Sequence, residues 1–262
     1  MATREGAAES DGDAGVGGVR RDGDGGADGA AGRPAAPTSP YVIISFDIGV
    51  KNLACCVLAL DHVPQATARP VGAPAVAPGA SVIHWTVYSL AAEKERIPSV
   101  NELSGRLFMV LDEFVADLEA RGIPTVEMVL LENQPSRLNG AMKSIQMMIY
   151  TYFQLRRHWE GRFLSVQMVS AGKKIQGHDC EIATPESCGY KPKKGYALNK
   201  WNAVQIAKAY VAEDADLATL FGGHKKKDDL ADSLCQVLAW VRNHGYKLTC
   251  VRNDIKRVSQ DN

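Results

Sequence analysis

The order of elements predicts an α/β domain: a mixed central sheet of three antiparallel strands followed by parallel ones, flanked by helices. Three observations predict it. Tyr41 to Phe46 is an apolar, β-branched run that reads as a strand buried on both faces. Two more strand-like runs follow before any helical period appears. From about residue 99 onward, helical periods alternate with short apolar runs, as in crossover units.

Residues 1–40 stand apart from this pattern. They hold 10 of the 24 glycines, with seven acids against four bases and no periodicity, and read as a disordered leader. The ordered part opens with "YVIISFDIGVKNLACCVLAL". Its first strand ends in Asp47, Gly49 permits a tight reversal, and Leu53 to Leu60 forms the second strand of a hairpin. After a Pro/Ala/Gly loop (64–80), "SVIHWTVYSL" is the third strand.

A helix follows over roughly Ser99 to Ala120, with Leu103, Leu107, Val110, Leu111 and Phe114 on one face and Gly122 and Pro124 ending it. "VEMVLLENQPS" is a short strand, Val126 to Leu131, that runs into Glu132 and is broken by Pro135. A long helix from about Asn139 to His158 comes next. "RFLSVQMVS" is another strand and "LNKWNAVQIAKAYV" another helix. The last helix opens with "KKKDDLADSLCQ", where Leu230, Leu234, Val237, Leu238 and Val241 form one buried stripe. No internal repeat appears.

That last helix carries Asp228, Asp229 and Asp232 in its first turns. At 100° per residue Asp229 and Asp232 point within about 60° of each other, and Asp228 and Asp232 within about 40°. Acids near a helix start complement its dipole, and Asp228 can serve as an N-cap. An acid ending a buried strand, as Asp47 and Glu132 do, is costly unless paired; Lys51 is a candidate partner for Asp47. If the first and fourth strands are neighbours, Asp47 and Glu132 emerge side by side. A cluster so formed repels itself unless cations neutralise it. Hard divalent ions suit such oxygen ligands, and Mg²⁺ is usual where phosphates take part. Two ions about 4 Å apart can activate water and stabilise the leaving oxygen of a phosphodiester.

Charge fits the same reading. The formal net charge is zero, but beyond the leader 26 bases face 23 acids, and from Arg156 to Lys227 the tally is 13 to seven. This basic stretch beside the aspartates is a footprint for a polyanion. No run reaches the roughly 18 apolar residues of a membrane span and no signal peptide opens the chain, so an intracellular, non-secreted protein is expected. The six cysteines lack CxxC spacing and suit reduced thiols. His178, Cys180 and Cys188 can in principle share a zinc ion, though no fourth ligand falls at zinc-finger spacing.

"SFDIGVKNLACCVL", "LLENQPSR" and "KKKDDLADSL", in this order and at these separations, resemble the RuvC-like Holliday junction resolvases. The poxvirus branch is most similar, with the fungal mitochondrial resolvases next, and the resemblance covers about residues 41–245. It implies a ribonuclease H-like nuclease domain over 41–250, followed by a C-terminal tail over 251–262. It further implies a homodimer that makes paired, Mg²⁺-dependent incisions in four-way DNA junctions, with Mn²⁺ as a substitute, two ions per site and no small-molecule cofactor. In a virus such an enzyme would work in the host cytoplasm, where viral DNA replicates. Family ligands map to Asp47, Glu132, Asp229 and Asp232, while helix geometry leaves Asp228 open as an alternative to Asp229.

Contacts to DNA are expected from Lys51, Arg137, Lys143, Lys173, Lys174, Lys193, Lys194, Lys200, Lys225, Lys226 and Lys227. On the long helix after Glu132, Met142, Ile145, Ile149 and Phe153 form a core stripe. Met147, Met148, Tyr150 and Tyr152 leave further apolar surface suited to a partner subunit. Two other readings stand beside this one: an RNase H-type nuclease acting on hybrids, and a non-catalytic DNA-binding module whose acids are structural.

Overall fold

The computed structural model describes residues 40–61, 79–92, 94–134, 140–170, 172, 175 and 195–255. A six-stranded mixed sheet forms its middle, in the order β5-β4-β1-β2-β3-β6. β1 (Tyr41–Ile48), β2 (Asn52–Leu60) and β3 (Ala80–Ser89) are an antiparallel meander. β4 (Met128–Glu132) and β5 (Val166–Val169) then add in parallel beside β1. The antiparallel-then-parallel arrangement is the one the sequence predicts.

Two helix layers cover the sheet. α1 (Val100–Ala120) and α2 (Gly140–Glu160) pack on one face through Leu103, Leu107, Leu111 and Phe114, and through Ile145, Ile149 and Phe153. They meet Val42, Ile44, Phe46 and Val129 from the strands. α3 (Tyr196–Val211), α4 (Ala215–Gly223) and α5 (Lys227–Asn243) pack on the other face against Ile43, Leu58, Val82 and Leu130. Because β1, β2 and β4 are covered on both sides, almost every side chain in them is apolar. The five leucines and valines of the α5 stripe are all buried, each worth about 2 kcal/mol of apolar transfer.

Boundaries follow local chemistry. Ser99 caps α1 in a reciprocal capping box with Glu102, so the helix proper begins one residue later than its serine. Val126 makes an isolated parallel bridge to Phe163, and the regular strand starts at Met128. Two elements were not expected. α4 is a nine-residue helix capped by the Asp214 side chain. β6 (Arg252–Asn253) is a two-residue strand that pairs with β3 inside the stretch expected to be a tail. α5 differs at its start: the cap residue is Lys226, with no side-chain cap bond. Asp228 is therefore inside the first turn and is not the N-cap, because the helical turn begins with the lysine run itself.

Candidate active site

The register of β1 and β4 sets Ser45 opposite Leu130 and Phe46 opposite Leu131. The next residues on each strand are Asp47 and Glu132, which thus end neighbouring parallel strands. Side chains alternate along a strand, and Ile43 and Leu130 belong to the core beneath α5. Asp47 and Glu132 share that parity and face α5, whose first turns carry Asp229 and Asp232. All four carboxylates, each half-buried, line one cleft of about 500 Å³ with Ile48, Gly49, Gln134, Met142, Tyr196, Asn199 and Lys200. Gly49 is required by close approach. Its N–H donates to the Asn52 carbonyl at 2.9 Å, and a Cβ there would meet that oxygen at 2.8 Å.

Adjacent aspartates on α5 have opposite electrostatics. Asp228 accepts a hydrogen bond from the Lys200 ammonium and is not among the residues lining the cleft. Burial works to raise the Asp228 carboxyl, but Lys200, together with the backbone N–H groups of Asp228 and Asp229, leaves it below its ordinary value. For Asp229, burial and then the Asp228 charge prevail over Lys200, Lys226 and Asn52, and the carboxyl is raised. Asn52 Nδ2 donates to Asp229 at 3.4 Å and links the start of β2 to α5. Tyr196, 74% exposed, lies at the cleft rim with the Lys200 ammonium 5.2 Å from its ring centroid.

The expected DNA contacts divide into several groups. Lys225 and Lys226 are exposed, and Lys227 is half-exposed at the start of α5. Lys51 donates to the carbonyls of Glu95 (2.6 Å) and Ala92 (3.4 Å), which ties it to the turn after β3. Lys143 donates to Asn133 Oδ1 and Gln146 Oε1 beside the end of β4. Arg137, Lys173, Lys174, Lys193 and Lys194 lie outside the described residues, as do His178, Cys180 and Cys188.

A cation is the natural counterpart of this cleft on donor chemistry, since all four side chains offer hard carboxylate oxygens. They line the cleft and do not enclose a point: among the described residues no three His, Cys, Asp or Glu side chains are gathered tightly enough to hold an ion.

Neutral amides at the site escaped sequence reasoning. Gln146, fully buried on α2, accepts from the Gln134 backbone N–H at 3.1 Å and so shapes the segment after Glu132. Gln236, one turn beyond Asp232, donates to backbone carbonyls of β1 and β4. The available signal was a glutamine inside or beside an otherwise apolar stripe, since buried polar residues are the informative exceptions.

No protein-family model matches the chain. Over 139 residues, 52% of the chain, it is 27% identical to an uncharacterized protein of Acanthamoeba polyphaga mimivirus, and the match spans 33% of that protein's length. Among solved structures it is similar to the yeast mitochondrial Holliday junction resolvase, with 17% identity, 80% of this chain and 83% of that chain covered, and a TM-score of 0.46. It is also similar to Thermus thermophilus RuvC in complex with a Holliday junction substrate, with 14% identity, 79% and 99% coverage, and a TM-score of 0.43.

Proposed function

We propose that the chain is a divalent-metal-dependent endonuclease that resolves four-way DNA junctions by paired phosphodiester hydrolysis, in the manner of the RuvC-like resolvases its three motifs resemble. The observation that carries this reading is the meeting of Asp47, Glu132, Asp229 and Asp232, from three elements far apart in sequence, on one cleft. Asp47, Glu132, Asp229 and Asp232 would hold Mg²⁺, whose chemistry there is to activate water and stabilise charge on the phosphate and leaving oxygen. Asp229 and Asp232 reach the cleft from one helix, so a single rigid element sets their spacing. Lys200 keeps Asp228 occupied and leaves the other four acids to face the substrate side.

Lys225, Lys226 and Lys227 stand beside the same helix start and would take backbone phosphates, holding a strand without reading its sequence. In the triple alanine variant, each lost contact should lower the slope of log affinity against log salt by roughly one. On the opposite face, an apolar groove of about 600 Å³ runs between α1 and α2, lined by Val100, Phe108, Met147, Met148, Tyr152 and Leu155. This groove suits a second copy of the chain. A two-fold dimer would match a junction that presents two equivalent strands.

The test is a panel of labelled duplex, RNA–DNA hybrid, flap and four-way junction substrates, each with and without Mg²⁺. Symmetric incision of the junction, only with the metal, is the expected result. Preferential cutting of the hybrid would reassign the substrate, and cleavage undiminished by a chelator would overturn the metal role.

A further inference from the structure

We propose that Gln236 is a positioning residue: its side-chain amide ties α5 to the strand ends that carry Asp47 and Glu132 and so sets the spacing of the carboxylates. The inference rests on the metal-binding reading of the cleft given above. Gln236 is 3% exposed, four residues after Asp232 and hence on the same face of α5 one turn further in. Its Nε2 donates to the Phe46 carbonyl at 3.3 Å and to the Leu130 carbonyl at 3.2 Å. Phe46 immediately precedes Asp47, and Leu130 lies two residues before Glu132. One amide group therefore bridges both acid-bearing strands from the helix that supplies the other two acids.

The orientation of the amide is dictated by its partners. Both are carbonyl oxygens, so only the NH₂ end can face them; a flipped amide would set oxygen against oxygen. The other end finds no such bond: among the described residues Gln236 Oε1 is buried without a partner, as is Ser45 Oγ on β1. A buried acceptor without a partner is unfavourable, and a leucine of similar bulk would have avoided it. What the glutamine adds over a leucine is the pair of donor bonds. The apolar stripe of α5 holds the helix on the sheet, but apolar contacts are not directional. The amide supplies the directional constraint where a small displacement would separate Asp229 and Asp232 from Asp47 and Glu132.

The experiment uses the full chain without DNA and reads Mg²⁺ affinity by calorimetry and thermal melting in chelator. Gln236→Leu and Gln236→Met remove the donors and keep the bulk; Val241→Ala, on the same stripe but away from the carbonyls, is the control for lost stability. Both Gln236 variants should bind Mg²⁺ roughly ten- to a hundredfold more weakly, the usual effect of removing a partner that orients ligands. Val241→Ala should melt lower yet bind Mg²⁺ like the wild type. Amide exchange in chelator should quicken at residues 46–48 and 130–132 in the Gln236 variants, whichever of the two is better folded. Wild-type Mg²⁺ affinity and exchange in the Gln236 variants would overturn the assignment, as would an equal loss of affinity in Val241→Ala. A wild-type chain that takes up no Mg²⁺ would instead remove the metal reading on which it rests, and is recognised before any variant is compared.

Discussion

Charge is handled differently on the two faces of the sheet. On the α1 side, a bulge at the β2–β3 pairing turns His84 toward α1, where its Nδ1 lies 3.3 Å from Asp117. Tyr88 shares a hydrogen bond with His84 Nε2 at 2.8 Å, and Arg121 holds Asp117 through Nε at 2.7 Å. Arg121 also donates to the Ile255 carbonyl, so one closed network joins β3, α1 and the chain beyond β6. On the α5 side, four carboxylates share a cleft, and among its described lining residues Lys200, already engaged by Asp228, is the one basic side chain. On the α1 side the network's single carboxylate, Asp117, is met by His84 and Arg121. On the α5 side four acids from three elements line one cleft. The contrast sets a carboxylate tied into a structural network beside four for which metal binding is proposed.

The largest expected effects break the contrast at the cleft. Asp47→Asn and Glu132→Gln keep the shape of each side chain but weaken its ligation, so junction cleavage should fall by orders of magnitude. Junction binding, measured by gel shift, should persist or tighten as charge facing the phosphates is removed. Near-wild-type cleavage by either variant would place the cleft with the structural network on the other face.

Next in size is the response to the ion itself. At a hundredfold excess over its dissociation constant, Mg²⁺ should stabilise the wild type by about 2.7 kcal/mol, and Asp232→Asn should gain much less. In chelator, Asp232→Asn should melt no lower than the wild type, because a repelling charge has gone. On the other face, Asp117→Asn should lose about 1–2 kcal/mol of stability, since its partners keep some access to water, with Mg²⁺ response and cleavage unchanged. Melting curves with and without Mg²⁺ separate the two behaviours.

The smallest effect is a pH dependence of the closed network. Burial holds the His84 imidazole below its ordinary 6.5, against the pull of Asp117, with Arg121 assisting. The unfolded chain therefore takes up this proton first as the pH falls. The stability contributed by neutral His84 is present above pH 6.5 and is lost as the pH drops through its lower folded value. His84→Gln should flatten that part of the melting-temperature profile. An unchanged slope would mean that the imidazole is not the titrating group.

The sequence revealed some parts of this arrangement and hid others for definite reasons. β1 and β2 were legible because strands covered on both faces are almost wholly apolar, and α5 because its stripe is unbroken over three turns. Asp47 and Glu132 stood out as acids closing such strands. α4 was not legible, since its nine residues include two terminal glycines and its start depends on one aspartate cap. β6 is too short to show any period. Lys200 appeared as one more basic residue because its pairing with Asp228 spans a fold-level contact, 28 residues apart. Asn52, Gln146 and Gln236 carry no charge and match no spacing rule, and only the packed register of helix on strand brings them to the site.

The sequence separations of the ties that join β1 and β2 to β4 and α5 also bear on how the chain folds. Val42 meets Glu127 across 85 residues, Asn52 meets Asp229 across 177, and Phe46 meets Gln236 across 190. Contacts so distant along the chain require large loops to close first, which slows folding and defers their formation. The hairpin of β1 and β2 and the local turns of α1 close short loops, whereas seating α5 on β1 closes a loop of more than half the chain. The pair on the strands, Asp47 and Glu132, thus meets the pair on the helix, Asp229 and Asp232, only when the apolar stripe of α5 seats on the sheet. Their repulsion falls on the final step, so a divalent ion that relieves it should slow the unfolding of the native chain more than it speeds the early collapse.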